Sequence, residues 1–155
     1  MEFDPSGYQV QLERKLERLT TLFKPFSAPP PEVFESPPLH YRHRAALRVW
    51  HQDNRQHYAM FDPENRRQPI LLETFPIASK RINELMPVLK RAWQDSNVLS
   101  SRLFQVEFLS SLKGDVLITL CYHRPLDECW YAGAQKLAED MDISVIGGCR
   151  GQKMG

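Results

Sequence analysis

Cysteine is scarce in this chain of 155 residues: Cys121, Cys129 and Cys149 are odd in number and fit neither a CxxC pair nor zinc-ligand spacing. A disulfide framework and a structural zinc are therefore not expected, no metal is assigned, and the thiols should be reduced and mostly buried. Long apolar runs are missing too, none approaching the roughly 20 residues that span a bilayer. Met1 to Pro5 carries no basic cluster leading into an apolar stretch, so the expected location is the cytoplasm, with no membrane partner. The seven glycines form no phosphate-cradling loop at the start of a helix, and GxSxG, HExxH and EF-hand patterns are absent. A self-contained enzyme is hard to defend on these grounds. Asp127 and Glu128, adjacent at an expected helix start, are better explained by the helix dipole than as a catalytic pair.

What is present is the composition of one soluble domain, 42% hydrophobic and 25% charged, in a chain too short for two ordinary domains. The net charge of +1 conceals an asymmetry. Residues 40–67 hold six arginines against three acids and four of the five histidines, a concentration that suits an anionic partner.

Within that region Tyr41-Arg42-His43-Arg44-Ala45-Ala46-Leu47-Arg48-Val49-Trp50 reads as a strand. Alternation places Arg42, Arg44 and Arg48 in one row with Ala46 and Trp50, and Tyr41, His43, Ala45, Leu47 and Val49 in the other. The second row can pack on a core. The first offers guanidinium groups, which keep their charge and bind anionic oxygens through paired donors.

The remaining chain alternates in an orderly way. Ser6 is expected to cap a helix carrying Tyr8, Leu12, Leu16, Leu19 and Phe23 at helical spacing. Six prolines between Pro25 and Pro38 make a stiff connector that should contribute Val33 and Phe34 to packing. After the arginine strand, residues 51–56 form a polar turn, and His57 to Phe61 return as a strand closed by a turn over Asp62 to Asn65. Ile70 to Glu73 supply a third strand. A second helix carries Ile77, Ile82, Leu85, Leu89 and Trp93 and should kink at Pro87. Leu103 to Ser110 and Val116 to Tyr122 form a hairpin around Lys113-Gly114-Asp115. A helix bearing Trp130, Ala134, Leu137 and Met141 follows, then a last strand, Ile143 to Ile146, before a break at Gly147-Gly148. The fold class is α+β: a two-layer sandwich with a largely antiparallel sheet packed by helices, preceded by the helix and proline-rich connector. Residues 1–39 and 40–155 are the expected division, the second part recognising the ligand.

Taken in order, several blocks carry a resemblance: Pro31-Glu32-Val33-Phe34-Glu35-Ser36-Pro37, Tyr41-Arg42-His43-Arg44-Ala45, Arg48-Val49-Trp50-His51, Phe61-Asp62, Phe75-Pro76, Ile82-Asn83-Glu84-Leu85-Met86, Leu103-Phe104-Gln105 and Tyr122-His123-Arg124-Pro125-Leu126-Asp127. The ordered set resembles the N-terminal part of the bacterial tRNA (uracil-5-)-methyltransferases and covers nearly the whole chain. The resemblance implies an S-adenosylmethionine-dependent enzyme that forms 5-methyluridine in the T-loop of tRNA, and in the tRNA-like part of transfer-messenger RNA (tmRNA). In that family a cysteine thiolate adds to carbon 6, the methyl group goes to carbon 5, and a glutamate removes the carbon 5 proton. Those parts lie in a C-terminal Rossmann-like domain, which is expected to be absent from this chain. None of the three cysteines has the Ser-Cys-Asn-Pro surroundings of the family nucleophile. No catalytic or cofactor-binding residue is therefore assigned, S-adenosylmethionine is expected of the full-length family and not of this chain, and the chain alone is expected to be inactive.

Under the same resemblance Arg48 is the first candidate for RNA contact, joined by Arg44 and Arg42. Phe104 alternates with Val106 and Phe108 as a core residue would, whereas the resemblance implies an aromatic that stacks on splayed loop bases. Both readings stand. His123, ending its strand, is a candidate RNA hydrogen-bond donor, and Tyr41 is a further candidate. Where the family pattern has an acid and an aromatic between the second and third arginines, this chain has Ala46 and Leu47, a departure that puts one loop contact in doubt. The expected partners are the tRNA T-arm and tmRNA. Ile143 and Ile146 are expected to be exposed for want of the missing domain, with self-association a consequence. Two alternatives remain: a protein-interaction module with a basic strand, and a small hydrolase using Cys121 and His123.

Overall fold

A computed structural model describes residues 4–62 and 68–149, and the backbone alone of 152–154. A 16-residue helix, α1 (Tyr8–Phe23), comes first. Its start is set by Asp4, whose carboxylate accepts from the Ser6 amide at 2.9 Å and caps a short turn over Pro5–Gly7. Ser6 is therefore not the cap expected of it: Asp4 reaches the free amide first. No residue of α1 is fully buried. Its Tyr8 hydroxyl accepts from the Ser36 amide at 3.0 Å, tying helix to connector. The connector does not pack as anticipated, since Phe34 is 85% exposed and Val33 is exposed as well. Its prolines hold the chain extended, away from the core.

Seven strands form one sheet in the order β3-β2-β1-β4-β5-β6-β7. They are β1 (Arg44–Gln52), β2 (Arg55–Phe61), β3 (Pro69–Leu72), β4 (Leu103–Ser110), β5 (Val116–Tyr122), β6 (Ser144–Cys149) and β7 (Gln152–Met154). Every pairing is antiparallel except β5 with β6. That parallel pair requires a crossover, provided by α4 (Glu128–Met141), whose N-cap Asp127 accepts from the Trp130 amide. The helices α2 (Lys80–Gln94) and α3 (Asn97–Ser100) join β3 to β4. The result is α+β with a largely antiparallel sheet. The turn expected over Asp62 to Asn65 lies, from Pro63 on, outside the described residues.

Alternate residues of β1, β4 and β5 are buried under the helices, among them Leu47, Val49, Val106, Phe108, Ile118, Leu120 and Tyr122. Trp93 from α2 and Trp130 from α4 complete this core, each almost wholly inaccessible. Burying side chains of this size supplies on the order of 1.5–3 kcal/mol apiece, which is why the helices settle on this face. The Tyr58 hydroxyl donates to the Met86 carbonyl and that of Tyr122 to the Leu99 carbonyl, both at 2.8 Å, so these aromatics enter the core with their polar ends satisfied. The other face of the sheet bears Arg44, Ala46 and Arg48, all three exposed.

Four further expectations need correction. Helix α2 begins at Lys80, capped by Ser79, so Ile77 precedes it; the helix runs through Pro87 to Gln94. Strand β6 continues through Gly147 and Gly148 instead of ending there, because a Cβ on Gly147 would overlap the Trp130 ring and only glycine lets α4 lie so close. Ile143 and Ile146 are half-buried, and Ile143 packs against the core; large exposed apolar side chains lie instead on α1, on the connector and at scattered positions such as Leu112 in the β4–β5 turn. The cysteines are not mostly buried: Cys129 points outward from the exposed side of α4, and Cys121 and Cys149 are half-covered.

Candidate nucleic-acid interface

Strand β1 brings Arg48 opposite Gln105 of β4, and β4 brings Gln105 opposite Cys121 of β5. Between Leu103 and Gln105 the register with β5 shifts, a β-bulge. Leu103 enters the core, Val106 and Phe108 resume the buried row, and Phe104 is the extra residue turned out of it. Its ring lies against the imidazole of His123 in a near-parallel stack, and the Arg48 guanidinium sits 5.6 Å from the Phe104 centroid. Three residues far apart in sequence thus form a single cationic and aromatic surface.

The backbone around this cluster is anchored. The His123 amide donates to the Arg102 carbonyl at 3.0 Å, and the His51 imidazole meets the Leu103 carbonyl at 2.7 Å, holding the start of β4. Arg124 donates to the carbonyls of Ser101 and Val98 and lies over the Tyr122 ring, so its guanidinium braces the loop beneath His123. Such bracing fixes the stack before any ligand arrives, which limits the ordering cost of binding. His51 was not singled out in the sequence; the signal available was its place directly after the Arg48-Val49-Trp50 run.

The other candidates lie apart. Arg44 faces Leu109 near the opposite end of β1, and its guanidinium is 3.7 Å from the Glu107 carboxylate. Glu107 also accepts from the Gln105 side-chain amide at 2.8 Å. Arg48 has no carboxylate partner among the described residues and so keeps its charge uncommitted. Arg42 does not extend the row. Its amide donates to the Ile77 carbonyl and its carbonyl accepts from the Ser79 amide, an isolated bridge to Ala78 that ends before β1 begins. Tyr41 is exposed and lines a cleft with Tyr8 and Leu12 of α1, remote from the stack. His43, half-buried, bonds the Ser110 hydroxyl at 3.0 Å, which in turn meets the Ser79 hydroxyl at 3.0 Å; this chain secures the α2 cap. Of the departures from the family pattern, Leu47 is a core residue and Ala46 faces Glu107 across the ladder.

Electrostatics disfavour the hydrolase alternative. Burial and the Glu107 carboxylate push the Cys121 thiol up, outweighing Arg48, and so disfavour the thiolate a nucleophile needs. His123 is stacked on Phe104. Among the described residues no group of three or more His, Cys, Asp or Glu is arranged to hold a metal ion, and no helix is long and apolar enough to cross a membrane.

A sequence model of the tRNA (Uracil-5-)-methyltransferase family matches residues 7–155. The chain belongs to this family. It is 58% identical over 152 residues to the tRNA/tmRNA (uracil-C(5))-methyltransferase of Ectopseudomonas mendocina (strain ymp), covering 98% of this chain and 42% of that protein. The protein of the same description from Azotobacter vinelandii (strain DJ / ATCC BAA-1303) is 57% identical with the same coverage. That from Pseudomonas fluorescens (strain SBW25) is 55% identical over 153 residues, 99% of this chain and 43% of its own. The chain therefore spans about two-fifths of the length of these methyltransferase relatives.

Proposed function

We propose that this chain is the substrate-recognition part of an S-adenosylmethionine-dependent methyltransferase of the cytoplasm that forms 5-methyluridine in the T-loop of tRNA and tmRNA, and that it binds the T-arm without carrying the chemistry. The division into a helix and connector over residues 1–39 and a recognition domain over 40–155 is part of this reading. The single observation that carries it is the Arg48–Phe104–His123 cluster: an uncommitted, exposed guanidinium beside a braced aromatic stack whose His123 is also exposed. An RNA stem cannot be read through its deep major groove, so proteins hold it by phosphates and select on unstacked loop bases. Arginine serves the first task and aromatic faces the second.

S-adenosylmethionine supplies an electrophilic methyl group when bound. The described residues do not fit it. Their one parallel crossover, β5–α4–β6, enters its helix through Arg124-Pro125-Leu126-Asp127, with no glycine and with Leu126 buried where a cofactor would need room. No step of methyl transfer falls to these residues.

Titration of a T-arm stem-loop against an unstructured RNA of equal length, at two salt concentrations, tests the reading. Preference for the stem-loop at both supports it; equal binding of the two that fades with salt contradicts it. A second reading, a protein-interaction module, is favoured by the exposure of Phe26 and Phe34, 76% and 85%. Under that reading the purified chain binds neither RNA above background.

A further inference from the structure

At the end of the sheet that carries the stack, a separate cleft of about 530 Å³ opens between the β1–β2 hairpin tip and the helices α2 and α3. The tip turns through Asp53 and Asn54, both left-handed at φ 51° and 58°, the pattern of a tight two-residue hairpin turn. This tip and the α2–α3 junction bring together five amide-bearing residues, Gln52, Asn54, Gln56, Gln94 and Asn97, around the cleft.

The lining narrows the ligand. No lysine or arginine borders the cleft and Asp53 does, which disfavours a phosphate. Apart from the His51 imidazole, aliphatic and aromatic side chains are absent from its walls, which disfavours a purely apolar group. A carboxamide offers two donors and an acceptor in one plane, the complement of a nucleobase edge, and protein amides read bases in this way. Here the groups are available: the only hydrogen bond these five side chains make among the described residues runs from Gln94 Nε2 to the Gln56 carbonyl, a long 3.3 Å.

Position supplies the second argument. The cleft and the stack share the segment Asn97 to Gln105, with Asn97 and Ser100 on the cleft and Phe104 on the stack. His51 lines the cleft and holds the carbonyl immediately before Phe104. We propose that this cleft receives one unstacked nucleobase of the RNA held at the Arg48–Phe104–His123 cluster and reads its hydrogen-bonding edge; the inference rests on the RNA-binding reading above.

The test measures stem-loop RNA affinity for the parent chain, for Gln94→Ala/Asn97→Ala, and for the isosteric pair Gln94→Glu and Asn97→Asp. Each is titrated with loops in which one nucleotide at a time is abasic. The alanine pair should bind about tenfold more weakly, with the salt slope unchanged because no phosphate contact is lost. One abasic position should weaken the parent similarly and cost the alanine pair nothing more. The isosteric variants, which exchange amide donors for acceptors without changing shape, should alter which base is preferred at that position. If all variants bind every loop as the parent does while Phe104→Ala weakens binding, the cleft proposal fails and the RNA-binding reading survives. If the parent binds no stem-loop, both fail.

Discussion

The imidazole of His123 lies 3.9 Å from the ring of Phe104, centroid to centroid, with planes only 16° apart. Side chains from two neighbouring strands reach this geometry because the bulge in β4 takes Phe104 out of the buried row while β5 has just ended. The stack leaves Phe104 half-exposed and outside the hydrophobic core. Function and stability are thereby separable at this residue.

Phe104→Ala should consequently leave the melting temperature close to that of the parent while costing on the order of 1–3 kcal/mol of RNA affinity. Thermal unfolding and an RNA titration on the same preparation settle the point. A drop in melting temperature of the size seen for core aromatics would return Phe104 to a packing role.

Arg48 and Arg44 share a strand face but differ in electrostatic commitment, since only Arg44 has a carboxylate nearby. Arg48→Ala should weaken RNA binding and reduce the slope of log K against log salt by about 0.7–0.9, the value of one lost phosphate contact. Arg44→Ala should change the slope less. Identical slopes for parent and Arg48→Ala would remove Arg48 from the interface.

Strands β4 and β5 are read from sequence with the bounds they take in the structure, because period-two alternation over a single buried face leaves one register open. Arg42 shows where that reasoning ends. Its row membership depended on the strand starting at Tyr41, but hydrogen bonds to Ile77 and Ser79, more than thirty residues away, turn the backbone before Arg44. The bulge at Phe104 is equally non-local, set by how β4 meets β5, so alternation pointed Phe104 to the core row and only the family resemblance pointed it outward. The amide cleft is built from a hairpin tip and two helix ends, and no spacing of Gln and Asn in the chain announces it.

Gly147 and Gly148 illustrate the same limit and give a paired prediction. A Cβ on Gly147 would overlap Trp130 and Leu126, whereas one on Gly148 meets nothing within 4 Å. Gly147→Ala forces the buried Trp130 ring to move and should destabilise the fold by about 1–3 kcal/mol. Gly148→Ala should be neutral or stabilising by about 0.4–1 kcal/mol, through reduced freedom of the unfolded chain. At roughly 2–4 °C per kcal/mol for a chain of this size, thermal melts resolve the two. Equal effects would mean that α4 does not rest on β6 as described.

Alkaline pH should expose the two buried tyrosines. Burial pushes the Tyr58 hydroxyl well up from its ordinary value of 10.0, with the Glu73 carboxylate adding to it, and burial raises Tyr122 as well. A raised pKa means that above pH 10 the folded chain keeps protons that the unfolded chain releases. The stability these groups contribute is therefore fully present below about pH 10 and declines as pH rises from there toward their folded values, by about 1.4 kcal/mol per pH unit for each tyrosine. Melting temperature measured from pH 9 upward should fall with that dependence. Tyr58→Phe and Tyr122→Phe should each flatten the fall, while lowering stability at neutral pH by about 0.5–1.5 kcal/mol through the lost hydrogen bonds to the Met86 and Leu99 carbonyls. A melting curve that stays level above pH 10, or an unchanged decline in the double phenylalanine variant, would show that these hydroxyls are not sealed in the core.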